Sequence, residues 1–151
     1  MRDAFLEDIS VGQRFGSGAV RVSAEDIIRF ARDFDPQPFH LDPALAGETL
    51  FGGLAASGWH TAALSMRLLV EGEFQPAGGL IGAGFDELAW RIPGRPGDTL
   101  QVTSEILAVR RSQSRPMQGV IKVRNLTINQ NGETVQRAVA NLIVKARSTE
   151  P

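Results

Sequence analysis

Four alternating runs in the second half of the chain constrain its fold more than any other feature. Leu88, Trp90 and Ile92 alternate up to Pro93, and Leu100, Val102, Ser104 and Ile106 share a face after it. Residues 120–128 and 135–144 form two further runs. Period-two alternation marks strands with one buried face. Asn131-Gly132 separates the last two runs and is a strong hairpin signal; it predicts a type I′ turn, which needs positive φ at both central residues. An antiparallel sheet of about four long strands follows.

The first half carries helical signals. Gly18-Ala19-Val20-Arg21-Val22 is a short β-like run, and Ser23 after it reads as an N-cap, with Glu25 and Asp26 in the first turn. Ile27, Phe30, Ala31 and Phe34 then fall on one helical stripe. Pro36 disfavours helical geometry at Asp35, so this helix ends near Phe34. Asp42-Pro43 predicts an N-cap followed by proline at the first helical position. The small-residue segment from Gly52 to Gly58 leads into a helix over about 57–72. Ala62, Ala63, Leu64, Met66, Leu68, Leu69 and Val70 make that helix apolar on most of its circumference, the mark of a buried helix. No repeat or linker interrupts the 151 residues. The expectation is a single α+β domain over 1–151, an antiparallel sheet wrapped around one central buried helix.

Composition narrows the function. Seventeen acidic and sixteen basic side chains leave a net charge of −1, which argues against a nucleic-acid binder. Residues 1–8 hold no long apolar stretch and no run approaches the length of a membrane span, so a soluble cytoplasmic protein is expected. Without Cys there is no thiolate or Cys-ligated metal chemistry, and without Tyr no phenol acid.

Only two histidines are present, His40 and His60. His40 lies five residues after Asp35, across a segment stiffened by Pro36 and Pro38, which predicts both in a rigid loop facing a cleft. A carboxylate and an imidazole so held can bind one water and divide its protons, the minimum equipment for adding or removing water. An Asp that merely caps a turn and a surface His would carry the same spacing.

Phe34-Asp35-Pro36-Gln37-Pro38-Phe39-His40-Leu41-Asp42 resembles the signature of the MaoC-like dehydratases, the (R)-specific enoyl-CoA hydratase group of hot-dog folds. Gly58 follows His40 at a spacing similar to that of the family's helix-opening glycine. Asp8-Ile9-Ser10-Val11-Gly12 is similar to the family's lead-in, and Pro93-Gly94-Arg95-Pro96-Gly97-Asp98-Thr99-Leu100 to its Pro-x-x-x-Gly-Asp-x-Leu hairpin. The resemblance implies a hot-dog domain in which Asp35 and His40 form the hydratase dyad and the Gly58 backbone N–H polarises a thioester carbonyl. Helix dipole and free N–H groups at a glycine-lined helix start suit that role. It implies Gln37, Phe39, Ser57 and Trp59 as substrate-binding positions, an acyl-CoA substrate, no further cofactor or metal, and a homodimer whose association also protects a sheet edge.

The chain departs from the family pattern in places. Gln37 replaces an Asn, Phe34 a Gly, Ser57 a His, and Met66 takes the position of a helix serine beside Ser65. His60 reads as a packing residue. Trp59, Met66 and Leu69 read first as core, and as acyl-tunnel lining second. Arg110, Arg111 and Arg115 are candidates for CoA phosphates or for a solvated hairpin tip. The glycines between Gly78 and Gly84 lack nucleotide-loop spacing and no helix pattern follows them. A hot-dog thioesterase and a non-catalytic acyl-CoA-binding protein are the rival functions.

Overall fold

The computed structural model describes residues 1–150. The strands are β1 (Arg14–Gly16), β2 (Val20–Arg21), β3 (Ile81–Ala89), β4 (Thr99–Arg111), β5 (Gln118–Ile128) and β6 (Thr134–Lys145). The helices are α1 (Ala24–Phe34), α2 (Pro38–Leu41), α3 (Pro43–Ala46) and α4 (Gly58–Val70). A 3₁₀ turn at Leu6–Asp8 precedes them. The sheet is antiparallel with order β1-β4-β5-β6-β3, and β2 adds to β4 beside β1. Its concave face wraps α4, the hot-dog arrangement.

The local signals explain most boundaries. Ser23 caps α1 by accepting from the Asp26 N–H, and Asp35 ends it ahead of Pro36. Asp42 accepts from the N–H groups of Ala44 and Leu45 to start α3. Ser57 starts α4, accepting from Trp59 N–H at 3.3 Å. In β5 burial alternates residue by residue, as a strand with one buried face requires.

Five expectations are corrected. Phe34 ends the α1 stripe but is 71% exposed: it is the last residue of the helix and packs only sideways on Phe30, while Ile27 and Ala31 carry the buried face. The strand expected at Leu88–Ile92 runs earlier, over β3, through glycines that permit two register shifts against β6. At the β5–β6 hairpin only Gly132 has positive φ; Gly132 N–H returns to Asn129 O, so the turn is not type I′. His40 lies on the short helix α2 and is buried, not in an open loop. Finally, α4 buries only His60, Thr61, Ser65 and Leu68, while Trp59 is 59% and Met66 46% exposed. The sheet covers one side of that helix and leaves the rest of its apolar circumference open.

Two apolar clusters pin the ends of the wrap. Leu6, Ile9 and Phe74 pack on Ile106, Ile121 and Val144 at one end. At the other, Ile27 of α1 and Leu68 of α4 pack with Val22, Leu100, Val102 and Val135. The second cluster also holds Leu54 and Ala56, just before the start of α4, where the candidate site lies.

Candidate active site

His40 is held from three sides. Its Nδ1 lies 2.6 Å from the carbonyl of Ala55, which can only accept, so Nδ1 carries a proton. Phe39 and Phe51 pack against the ring, Phe39 edge-on with centroids 4.5 Å apart. Nε2 faces Asp35 Oδ2 at 3.2 Å. With Nδ1 already protonated, that contact is a hydrogen bond only when a second proton sits on Nε2 or on the carboxyl.

Asp35 caps no backbone N–H with its side chain. Burial pushes its carboxyl up, but hydrogen bonds from Gln37 and Ser57, with the charge and N–H of His40, outweigh it and hold it below the ordinary 3.8. Gln37 donates through Nε2 to Oδ1. Asp35 is therefore ionised at neutral pH and offers a fixed oxygen to the imidazole. Gln37, expected to touch substrate, is placed on the carboxylate, Ser57 near it, and Phe39 on the imidazole.

Gly58 opens α4 beside this pair, and no acceptor among residues 1–150 takes its N–H. Gly58, His40, Thr61, Trp90, Ile92 and Val135 line a pocket of about 340 Å³. Trp90 lies flat over Gly58, and Trp59 stands edge-on to Trp90 at 5.3 Å. The arrangement combines an ionised carboxylate, an imidazole that can hold or release a proton, and a free N–H at a helix start. Among residues 1–150 no group of three or more His, Cys, Asp or Glu side chains is placed to hold a metal ion.

Two positioning features escaped the sequence. Arg95 donates to the carbonyls of Gly53 and Leu54 at 3.0 and 3.3 Å and to that of Phe51, clamping the segment that carries Ala55. Buried Asp98 fixes the Arg95 backbone by accepting its N–H at 2.9 Å. The Gly-Asp pair in the hairpin motif was the only available hint. The second feature is Trp90, whose indole donates to Gln136 Oε1 at 2.9 Å. His60 does pack, stacked on Phe30 at 4.8 Å. Arg111 is engaged by Glu7 and by the carbonyls of Pro116 and Ser148, and its hairpin lies at the opposite end of β5 and β6 from Val135. None of Arg110, Arg111 and Arg115 lines the pocket.

Comparison with known proteins bears on the family and the fold. The model of the MaoC-like domain matches residues 9–130. The uncharacterized protein YdeM of Bacillus subtilis is 31% identical over 140 residues, covering 93% of this chain and 98% of its own. A MaoC-like dehydratase from Rhodospirillum rubrum superposes with TM-score 0.93 at 53% identity, over 96% of this chain and 99% of that one. The (R)-hydratase PhaJ1 of Pseudomonas aeruginosa does so with TM-score 0.72 at 26% identity, over 95% and 86%.

Proposed function

The chain belongs to the MaoC-like domain family, and from that premise we propose that it hydrates a trans-2-enoyl-CoA to the 3-hydroxyacyl-CoA, or dehydrates in reverse. The observation that carries the reading is the 3.2 Å contact of Asp35 with an His40 whose Nδ1 is committed to Ala55, beside the free N–H of Gly58. The (R)-hydratase similarity supports the same reaction class.

In the hydration direction both ring nitrogens of His40 carry a proton, and one water is held against Asp35 Oδ2 and His40 Nε2 together. Asp35 takes one of its protons as the oxygen adds to C3. Electron density moves to the thioester oxygen, where Gly58 N–H and the positive end of α4 stabilise it. His40 Nε2–H then protonates C2. The proton on Asp35 passes to His40 across the 3.2 Å contact, restoring both groups.

The working unit we infer is a homodimer. β3 forms a free sheet edge with Ile81 and Phe85 exposed, next to the uncovered side of α4. CoA enters as part of the substrate; no separate cofactor takes part in the scheme.

The test follows an enoyl-CoA by two signals. Loss of the conjugated thioester absorbance without thiol release is the hydratase result. Thiol release without hydration identifies a thioesterase, and binding with neither signal a non-catalytic acyl-CoA protein; either outcome overturns the proposal.

A further inference from the structure

A second cavity, of about 170 Å³, lies between α4 and the sheet. Its walls are largely apolar and include Phe15, Met66, Leu69, Phe74 and Leu88. Its sheet side is not. Asn125 on β5 and Gln136 on β6 both line it, and both residues are more than nine-tenths buried.

The hydrogen bonding of these two amides is incomplete. Trp90 Nε1 can only donate, so the Gln136 oxygen must face it and Nε2 is the end turned away. No acceptor among residues 1–150 takes a Gln136 Nε2 hydrogen. Asn125 accepts from Ser104 Oγ at 2.7 Å through Oδ1, and its Nδ2 hydrogens likewise find no acceptor. Ser65 and Thr127 nearby are different: they bond each other at 2.6 Å, and Ser65 also donates to Thr61 O, so they spend their hydrogens internally. Register puts Asn125 opposite Ala138 and Gln136 opposite Thr127. The two amides are therefore diagonal neighbours on one face, close enough for a single small group to reach both.

Neither nitrogen is sealed in protein, so their free hydrogens are open to an acceptor that enters the cavity. The cavity abuts the dyad pocket: Thr61 lines one and Ala62 the other, Val135 one and Gln136 the other, and Trp90 of the first bonds Gln136 of the second. From Gly58, α4 rises about 6 Å to Ala62 and about 16 Å to Leu69. An acyl group whose thioester lies at Gly58 thus has its tail led along α4 into the cavity.

Resting on the hydratase reading, we propose that the substrate is an enoyl thioester whose tail carries a neutral oxygen acceptor, a keto, ether or hydroxyl group, held by Asn125 Nδ2 and Gln136 Nε2. A carboxylate tail fits worse. Glu73 lines the same cavity, and no Lys, Arg or His does.

The experiment compares kcat/KM for plain trans-2-enoyl-CoAs of six to eight carbons with isosteres bearing a keto or ether oxygen at carbons 5 to 7. The unmodified protein is expected to favour at least one oxygenated isostere over its plain counterpart by roughly 10- to 100-fold, the usual effect of leaving buried polar groups unpaired. In Gln136→Met, which keeps volume and removes the donors, and separately in Asn125→Leu, that ratio falls toward one. If neither variant folds, the ratio in the unmodified protein still decides. Hydration of crotonyl-CoA and plain chains without preference for any oxygenated isostere overturns this proposal alone. Failure to hydrate any enoyl-CoA overturns the hydratase reading and this proposal with it.

Discussion

Trp90 lies across Gly58 so closely that a Cβ on the glycine would fall 2.6 Å from its indole ring atoms. The glycine is needed for this approach, since it has no side chain to hold the ring off. Gly58→Ala must therefore push Trp90 away, besides crowding whatever binds at the helix N–H. The expected loss in kcat/KM is on the order of 10²-fold, as for removal of an oxyanion donor. Shrinking the neighbour separates the two effects. Gly58→Ala combined with Trp90→Leu regains part of the activity relative to Gly58→Ala if the displaced indole is the cause. Kinetics of the three proteins, with folding checked by circular dichroism, read this directly.

Asp35→Asn and His40→Gln are each expected to lower kcat by roughly 10²-fold or more. The double variant should lose little beyond the worse single change, because the two groups move the protons of one water. Their stability effects differ. Asp35 is partly open, whereas His40 is buried and ties α2 to Ala55, so losing the Nδ1 bond costs about 1–2 kcal/mol. Additive kinetic losses in the double variant would separate the roles of the two residues and break the scheme.

The acid limb of the pH profile follows from Asp35. Its carboxyl sits below 3.8, so the base form, and with it activity that depends on it, persists above that value and is lost only as pH falls through the lower folded-state value. A kcat/KM limb assigned to Asp35 by its disappearance in Asp35→Asn should therefore lie below pH 3.8 in the free protein. A limb well above that value contradicts the ionised carboxylate.

His60 makes an opposite, purely structural contribution. Its Nδ1 is buried without a partner, and burial pushes the imidazole below its ordinary 6.5; Asp26 opposes this and Arg29 adds to it, both more weakly. Below pH 6.5 the unfolded chain takes up a proton that the folded chain refuses. Stability should thus fall as pH drops from 6.5 toward the folded value. His60→Leu removes that slope. Urea unfolding at pH 7.5 and 5.5 tests it above the range where carboxylates titrate; Glu7, for example, is held near 2 by the Arg147 backbone N–H and the Arg111 guanidinium.

Much of this was legible in the sequence because the signals were local. Ser23 and Asp42 mark their helix starts by what one side chain does for the N–H groups just after it. Asp35 and His40 meet because the turn between them is short, whereas Gly58 reaches them across a long segment. What was hidden depends on distant partners. α2 has one turn and no periodicity to read, and β3 is held by pairing to β6 across glycines that argue against a strand. The Arg95 clamp and the Trp90–Gln136 bond join residues more than forty positions apart, which no spacing rule reports.

The Arg95 clamp carries its own expectation. Arg95→Met keeps the stem and strands three carbonyls, at about 1–3 kcal/mol in stability. Because the freed segment carries the Ala55 carbonyl, kcat should fall as well. Arg95→Lys, a point charge without the planar fork, should recover only part of both. If Arg95→Met lowers the unfolding midpoint but leaves kcat untouched, the clamp serves stability alone.

The open side of α4 yields the last prediction. Trp59, Met66 and Val70 face outward on the helix, and Phe85 is 59% exposed on the unpaired edge strand β3. Met66 and Phe85 also line the α4 cavity, so the exposed apolar surface is continuous with its wall. A second copy pairing along β3 would satisfy the free edge and cover this surface together. Light scattering should therefore give about twice the 16.3 kDa chain mass. Phe85→Asp places a charge at the centre of that contact and should shift the protein to monomer. Since the cavity wall then opens to water, turnover of longer enoyl chains should drop more than that of crotonyl-CoA. A protein that is already monomeric at micromolar concentration, with full activity, would falsify the dimer and leave the outward face of α4 to another partner.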